Sequence, residues 1–393
     1  MSKRIALLVE SSRGFGRDLL RGVAAYVRTH ESFSVYKHER ALSDRVPEWL
    51  SHWQGDGVIA RIETRELAEF LLQSDWPTVD LRGRFNLPGI PTIATNDLSV
   101  VSLACDHFIE RGIRNFAFCG FENINYSASR QELAEQYLSQ RGLPLSIYNS
   151  PAGHSDDTSN IEAEGLIHEE HLVAWLKTLP KQTGVIACND IRGAQVLNVC
   201  REIDIAIPDE LAVIGVDDDR LICELTTPPL SSVVPSAYRI GYMAVEMLSK
   251  MMHGETIVEE TIQISASSVV NRASTDLLAI DDAEIVAALK FIRENAGKGI
   301  SVDDVAAAVN MSRSTLDRRF ARHTSTTAKN EITKIRVERV MRLLADTEYT
   351  LTEIADLTGY SNVEYLSTMF KQHTGETPGQ YRRLYHTLRT TQE

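Results

Sequence analysis

Long apolar runs are missing from this sequence. No stretch approaches the roughly 18 consecutive apolar residues that a membrane-spanning helix needs, so no membrane is expected as a partner. The opening Met1–Arg4, followed by Ile5–Val9, has the charge order of a secretory leader. Its apolar part stops at Glu10, too soon for the core of one. It reads as a first strand, and the expected location is the cytoplasm. Cysteine is scarce: five residues, Cys105, Cys119, Cys188, Cys200 and Cys223, with no CxxC pair and no Cys/His cluster. Reduced, buried thiols are expected, and no zinc site. Histidines stand in no HExxH or nucleophile-elbow context, and no Ser-His-Asp set is suggested. Gly14-Phe15-Gly16 begins like a dinucleotide loop, but Leu19 stands where GxGxxG needs its third glycine. These absences predict no catalytic residues, no metal, no cofactor and no enzyme.

A basic excess is also lacking, because the net charge is −13. Its distribution reverses that first impression. From residue 281 onward there are 16 Lys+Arg and 16 Asp+Glu, so all the excess acid lies in the front part. Met311–Arg342 holds nine basic residues and three acidic ones, the sign needed beside phosphates.

The front part alternates strands with helices. Ile5–Val9, Phe33–Tyr36, Gly57–Ala60, Thr78–Leu81, Phe116–Cys119, Gly184–Cys188 and Leu211–Val216 read as strands. Helical patterns such as Phe15–Arg28, Leu98–Arg111, Leu172–Leu179 and Ile191–Glu202 fall between them. That order predicts an α/β fold of βαβ units with parallel sheets. Its length fits two lobes, lobe 1 over about 1–107 plus 229–271 and lobe 2 over about 108–228, within a domain 1–271. Leu230–Val234 and a helix Tyr238–Met252 are expected to return to lobe 1. Residues 272–282 are short and polar and read as a linker. From 283 to 388 every pattern is helical, which predicts a second, all-α domain.

That domain repeats itself. Val305-Ala306 aligns with Ile354-Ala355, Asn310 with Gly359 and Ser312 with Ser361, all 49 residues apart. Phe320, His323 and Thr324 align with Phe370, His373 and Thr374, 50 apart, which puts one extra residue in the recognition-helix region of the second copy. Each copy has the logic of a helix-turn-helix. A short helix buries aliphatics, and a turn follows at Asn310 or Gly359, residue types that suit left-handed backbone. Ser312 or Ser361 is expected to N-cap the second helix. That helix keeps Leu316 and Phe320, or Leu366 and Phe370, inward and offers its N-terminal end to a major groove. The basic helix Ala328–Leu344 is expected to join the copies rigidly. Two such helices about 34 Å apart would read successive turns of double-stranded DNA.

The closing run Ile354-Ala355, Gly359-Tyr360, Tyr365-Leu366, Phe370-Lys371, Gly375, Thr377-Pro378 and Tyr381-Arg382 resembles the AraC/XylS family of transcription regulators. The resemblance covers about residues 282–388. It implies DNA contacts from Ser312, Arg313, Ser314, Thr315, Arg318 and Arg319 in the first copy. In the second it implies Ser361, Asn362, Glu364, Tyr365, Thr368 and Lys371. Arg313 and Arg318 suit guanine O6/N7, Asn362 suits adenine, and Lys371 suits a phosphate.

The front part resembles the periplasmic-binding-protein-like sensor of the LacI/GalR family without that family's N-terminal DNA-binding headpiece. Polar residues follow its strand ends, where ligands of α/β sheets bind: Ser11-Ser12-Arg13, Arg82, Asn189-Asp190 and Asp217-Asp218-Asp219. Carboxylates and arginines hydrogen-bond sugar hydroxyls, and Phe15 or Phe121 can pack on an apolar ring face. The resemblance makes Asp190 and Asp217 the foremost ligand residues, followed by Asp218, Arg130 and Arg13. Asp190 is also a candidate N-cap of the helix after it. A LacI-type sensor before an AraC-type reader resembles the regulators of sugar operons. It implies a small sugar effector, D-xylose, a transcription activator, a homodimer, and RNA polymerase as a further partner. The alternatives are a regulator responding to another pentose or small sugar, with repression as an option, or a cytoplasmic sugar-binding module or enzyme whose helical part serves assembly; the latter predicts no salt-dependent DNA affinity.

Overall fold

A computed structural model describes residues 2–30, 33–42, 44–149, 158–164, 169–255, 257, 261–276, 282–324, 326–347 and 349–382. The chain divides into two compact units, Met1–Leu277 and Leu278–Glu393.

The first unit starts with β1 (Lys3–Leu8), α1 (Gly14–Thr29), β2 (Phe33–Lys37), β3 (Gly57–Ala60), α2 (Arg65–Leu72), β4 (Thr78–Asp80) and β5 (Thr92–Asn96). It continues with α3 (Asp97–Glu110), β6 (Asn115–Cys119), α4 (Asn125–Ser139), β7 (Leu145–Tyr148), α5 (Thr158–Glu164), α6 (Glu169–Leu176), β8 (Thr183–Ala187), α7 (Asp190–Glu202), β9 (Leu211–Val216), α8 (Arg220–Leu225) and β10 (Ser231–Val234). It closes with α9 (Ala237–Met252), β11 (Thr261–Ser265) and β12 (Ser268–Val270). Two six-stranded sheets result, ordered β11-β5-β4-β3-β1-β2 and β12-β10-β9-β8-β6-β7. The central strands β3, β8 and β9 are buried along their whole length, as strands covered by helices on both faces must be. In lobe 1, Ile5, Leu19, Val23, Ile240 and Leu248 pack on one face of the sheet, and Leu50, Val58, Leu67 and Leu71 on the other. In lobe 2, Val101, Phe108, Phe118 and Leu138 fill one face, and Leu172, Val196 and Val213 the other.

Several expectations change here. The strand at 231–234 does not return to lobe 1. It pairs with β9 in the second sheet, and the return to lobe 1 begins with α9 and is completed by β11, which pairs with β5. Helix α3 packs on the second core through Val100, Ala104 and Phe108, so the first crossing lies near Asn96, not 107. The second sheet is not wholly parallel, because β12 runs antiparallel to β10 at its edge. The polar stretch at 272–276 is not linker. Ser274 and Thr275 are fully buried, with Ser274 Oγ donating to Val213 O at 2.6 Å and Thr275 Oγ1 2.7 Å from His107 Nε2. Hydroxyls that look solvated in the sequence are satisfied inside the lobe. The remainder of that stretch, 277–281, lies outside the described residues, as do 383–388.

The second unit is helical: α10 (Ala283–Asn295), α11 (Val302–Ala308), α12 (Arg313–Thr324), α13 (Ala328–Asp346), α14 (Leu351–Thr358) and α15 (Val363–Thr374). It has two cores. One gathers Ile285, Leu289, Val305, Leu316, Phe320 and Ile332, the other Val340, Leu344, Ile354, Leu366 and Phe370. The 19 residues of α13, about 28 Å at ~1.5 Å per residue, supply apolar side chains to both.

Candidate functional site

A cavity of about 300 Å³ opens where the parallel strands of both lobes end, a volume suited to one small ring. Arg13 and Phe15 follow β1, Arg61 follows β3, Arg82 follows β4 and Asp97 follows β5; Tyr126, Arg130, Glu162, Asn189 and Asp217 come from lobe 2. Four guanidiniums line it, each already matched to a carboxylate. Arg13 pairs with Glu162 and Arg61 with Glu10. Arg82 binds Glu63 through Nε at 2.6 Å and Nη2 at 3.3 Å. Arg130 Nε donates to Asp97 at 2.8 Å and its Nη1 to Cys188 O at 2.5 Å. Glu63 is buried, which pushes its carboxyl up, but Arg82 and the Thr158 hydroxyl pull it down to about 2. Asp80 shapes the Arg82 loop by accepting the amides of Arg82 and Gly83, each at 2.9 Å; burial pushes it up to about 6.

Asp217 differs from these acids. It stands at φ 111°, a strained conformation for a non-glycine residue. Burial raises its carboxyl to about 6, against the pull of Arg130, Arg61 and Arg13. It lines the cavity. Phe15 offers an aromatic wall with Arg61 stacked 4.9 Å from its centroid. Tyr126 lies between Arg82 and Arg130, at 4.8 and 4.9 Å, and its hydroxyl receives Asn189 Nδ2 at 2.9 Å.

Of the sequence-predicted ligand residues, Arg13, Phe15, Arg82, Arg130 and Asp217 meet at this cavity, and Asp190, Asp218 and Phe121 do not. Asp190 is buried behind the wall, where its oxygens accept Ser232 Oγ at 2.6 Å and Asp219 N at 2.8 Å. Nor is it the cap of α7: Asn189 is, accepting Arg192 N at 2.9 Å. Asp218 pairs with Arg272 at 2.7 Å. Phe121 is 3 % exposed, with Arg192 4.6 Å from its ring. Asn189, expected at a strand end, does line the wall, while Arg61, Asp97, Tyr126 and Glu162 were missed as wall residues. Arg61 carries the strand-end signal that found Arg82 and Asn189; Glu162 comes from α5, which no strand announces. Gly14 and Gly16 serve close packing rather than a phosphate: a Cβ on Gly16 would stand 2.3 Å from Glu10 O.

In the second unit the copies match closely. Ser301 with Asp304, and Thr350 with Glu353, close a capping box at the start of α11 and α14. Asn310 and Gly359 turn the chain at φ 51° and 73°. Ser312 caps α12, accepting Thr315 N at 3.3 Å. In the second copy the cap is Asn362, accepting Tyr365 N at 2.7 Å, and not the exposed Ser361. The extra residue therefore sits in the turn, because α12 and α15 both have 12 residues.

Arg313, Ser314 and Arg318 are exposed on α12, with Thr315 half-buried; Asn362, Glu364, Tyr365, Thr368 and Lys371 are exposed at or along α15. Arg313 leans on Asp303 at 3.1 Å. Arg319 is committed elsewhere: it grips Asp282 through Nε at 2.7 Å and Glu284 at 2.8 Å. That hydrogen bonding holds the Asp282 carboxyl below its usual range. The basic helix α13 also works inside the unit. Arg336 donates to Ala296 O and Ile300 O, each at 2.8 Å, and lies 5.7 Å from the Tyr360 ring. A Cβ on Gly359 would stand 2.4 Å from Gly299 N, so the turn of one copy touches the approach to the other.

Among the described residues no helix is long and apolar enough to cross a membrane, and no group of His, Cys, Asp and Glu is arranged to hold a metal ion. The five cysteines are buried and unpaired with one another.

Family comparisons agree with this division. Residues 4–98 match the XylR N-terminal domain, 105–275 a periplasmic binding protein-like domain, and 305–384 a helix-turn-helix domain. The xylose operon regulatory protein of Escherichia coli strain K12 is 32% identical over 387 residues, covering 96% of each chain. That of Haemophilus influenzae is 28% identical, covering 96% of this chain and 98% of its own. A solved structure described as the xylose-binding transcription activator xylR aligns over 98% of both chains, with 29% identity and a TM-score of 0.75. A LacI family regulator of Enterococcus faecium, solved with ribose, shares the fold over 70% of this chain and 98% of its own, at 21% identity and a TM-score of 0.55. With a lobed cavity, a duplicated helix-turn-helix and relatives matched end to end, the chain belongs to the xylose operon regulatory protein family of DNA-binding transcription regulators.

Proposed function

We propose that this chain activates transcription in response to D-xylose, acting in the cytoplasm as a homodimer and without catalysis. The observation that carries the reading is one cavity of matched Arg–carboxylate pairs joined in one chain to a two-headed DNA reader. Asp217, Arg13, Arg82 and Arg130 hydrogen-bond sugar hydroxyls, and Phe15 packs on the ring; Asp190 and Asp218 hold the Asp217 loop from behind. Arg313 and Arg318 read guanine, Asn362 reads adenine and Lys371 holds a phosphate. Ser312, Ser314, Thr315, Ser361, Glu364, Tyr365 and Thr368 complete the contacts, and Arg319 contributes by fixing α12. Sugar closes the lobes, closure changes how two protomers pair, and the paired readers engage the promoter beside RNA polymerase. A ligand acts here only through its differential affinity for the two states.

Calorimetry with D-xylose, L-arabinose and D-ribose tests the effector. D-xylose should bind tightest, and Asp217→Ala should weaken it at least about 10-fold, the loss of one charged hydrogen bond. Gel shifts with and without D-xylose test the coupling. Operator affinity unchanged by saturating D-xylose would refute it.

A further inference from the structure

We propose that Arg17 and Asp219 form a latch that holds the two lobes shut, and so set effector affinity without touching the effector. This rests on the reading of the cavity as the effector site. Neither residue is among those that line it. Asp219 lies in lobe 2, two residues beyond Asp217. Its amide is held by Asp190 at 2.8 Å, and its carboxylate accepts Leu221 N at 3.3 Å as the cap of α8. The same carboxylate reaches across to lobe 1. It accepts Gly14 N at 2.6 Å, and Arg17 Nη2 lies 3.1 and 3.2 Å from its two oxygens. Arg17 is steadied by donating Nη1 to Ser11 O at 3.1 Å. The anion thus meets a guanidinium and the amide end of α1 together, both favourable to negative charge.

The two kinds of contact differ in what opening does to them. The lobes are joined where β5 enters α3, where β10 leads to α9, and between β11 and β12. Rotation about those crossings parts Asp219 from Gly14 and Arg17. The bonds to Asp190 and Leu221 lie within lobe 2 and survive. Arg17–Asp219 is therefore a contact of the closed arrangement alone, and it enlarges the closed fraction that a ligand must otherwise stabilise. Other bridges, Arg13 to Glu162 and Glu63 and Arg84 to Thr158, stand in or beside the cavity wall. The latch can be altered with the wall left intact.

The test is D-xylose calorimetry and thermal melting of the full chain as parent, Arg17→Gln, Asp219→Asn and the double variant. The amide introduced by Asp219→Asn keeps one acceptor oxygen, enough for the Leu221 N cap, and places an NH2 donor opposite Gly14 N and Arg17. Arg17→Gln should weaken binding about 10-fold through the closure equilibrium, Asp219→Asn at least as much, and the double should be no weaker than Asp219→Asn alone. Ligand-free Tm should stay within about 1 °C of the parent, while the rise produced by D-xylose shrinks. Arg17→Lys should restore part of the affinity. Parental affinity in Arg17→Gln, additive losses in the double variant, or a fall in ligand-free Tm with unchanged affinity would each overturn the latch. A parent protein that does not bind D-xylose would instead remove the sugar reading on which it rests.

Discussion

The two helix-turn-helix copies share a blueprint and differ in temperament. Each has a capping box, a left-handed turn, a capped helix of 12 residues and an inward Leu/Phe pair. The first recognition helix carries Arg313, Arg318, Arg319 and Arg322 against Asp317. Two of those arginines are engaged with acids of α10 and α11. The second carries Lys371 against Glu364, with an exposed Tyr365 edge-on to Tyr360 at 5.8 Å. The apolar frame has been kept while the reading surface has diverged. The exposed face of the first copy is rich in charge, which on DNA favours affinity, and that of the second in hydrogen-bonding groups and a ring, the kinds of group that discriminate between bases.

The sharpest way to break the comparison is at the turns. Gly359→Ala forces a Cβ against Gly299 N at 2.4 Å in a left-handed residue, and should cost about 2–4 kcal/mol of stability. Asn310→Ala at the equivalent turn should cost only about 1 kcal/mol, and Asn310→Gly less than about 0.5 kcal/mol. Chemical denaturation of the three variants tests the order. If Gly359→Ala is as mild as Asn310→Ala, the two copies do not touch in the way described.

Next is the reading itself. Arg318→Ala should lower operator affinity by about 10-fold or more and relax the preference at one base pair. Thr368, its counterpart in the second copy, spends its hydroxyl on Glu364 O at 2.8 Å, so Thr368→Ala should change affinity by less than about 3-fold. Competition with operators altered at single base pairs separates the two, because a lost guanine contact relaxes the preference at one position, whereas the salt slope moves by about one unit only when a phosphate contact is lost. Equal losses in both variants would mean that the copies bear equally on DNA.

The smallest effect concerns acid. Asp304 and Glu353 are held below their usual range by their own caps, and Asp282 by Arg319. A carboxyl lowered in the folded state stabilises above its unfolded value and loses that contribution as pH falls through its folded one. Both copies should therefore loosen below about pH 4, and the first more, since it loses a clamp as well as a cap. Protection of the α12 amides against exchange, relative to their intrinsic rates, should fall more than that of the α15 amides between pH 5 and pH 3, values that straddle the ordinary carboxyl range of about 4. A matching loss of protection would remove Arg319–Asp282 as a distinguishing brace.

The sequence made the reader more legible than the cavity. The repeat announces caps, turns and inward pairs because each is a local rule with a fixed residue type. It misled at Ser361, where alignment by residue identity hid the extra turn residue and the cap passed to Asn362. In the front unit the central strands are continuous apolar runs and were readable. The strands β5, β7, β11 and β12 were not, since Thr92–Asn96 is largely polar and the others are short and lie at sheet edges. Asp190 shows the limit for site residues. Its position after β8 marks it as a cleft carboxylate, but whether it faces the guest or the loop behind is decided by Ser232 and Asp219, which are remote in the chain.

The contact of Gly299 with Gly359, backed by Arg336 beneath both copies, makes the reader a calliper with a fixed jaw. Each base pair added between two half-sites turns the second through roughly 35° and moves it about 3.4 Å along the axis. A hinged pair of heads could follow that rotation; a fixed pair cannot. If both heads engage one duplex, the spacing between the segments they read is a dimension copied from this backbone. Such a promoter could drift in the letters it offers, but not in its phase.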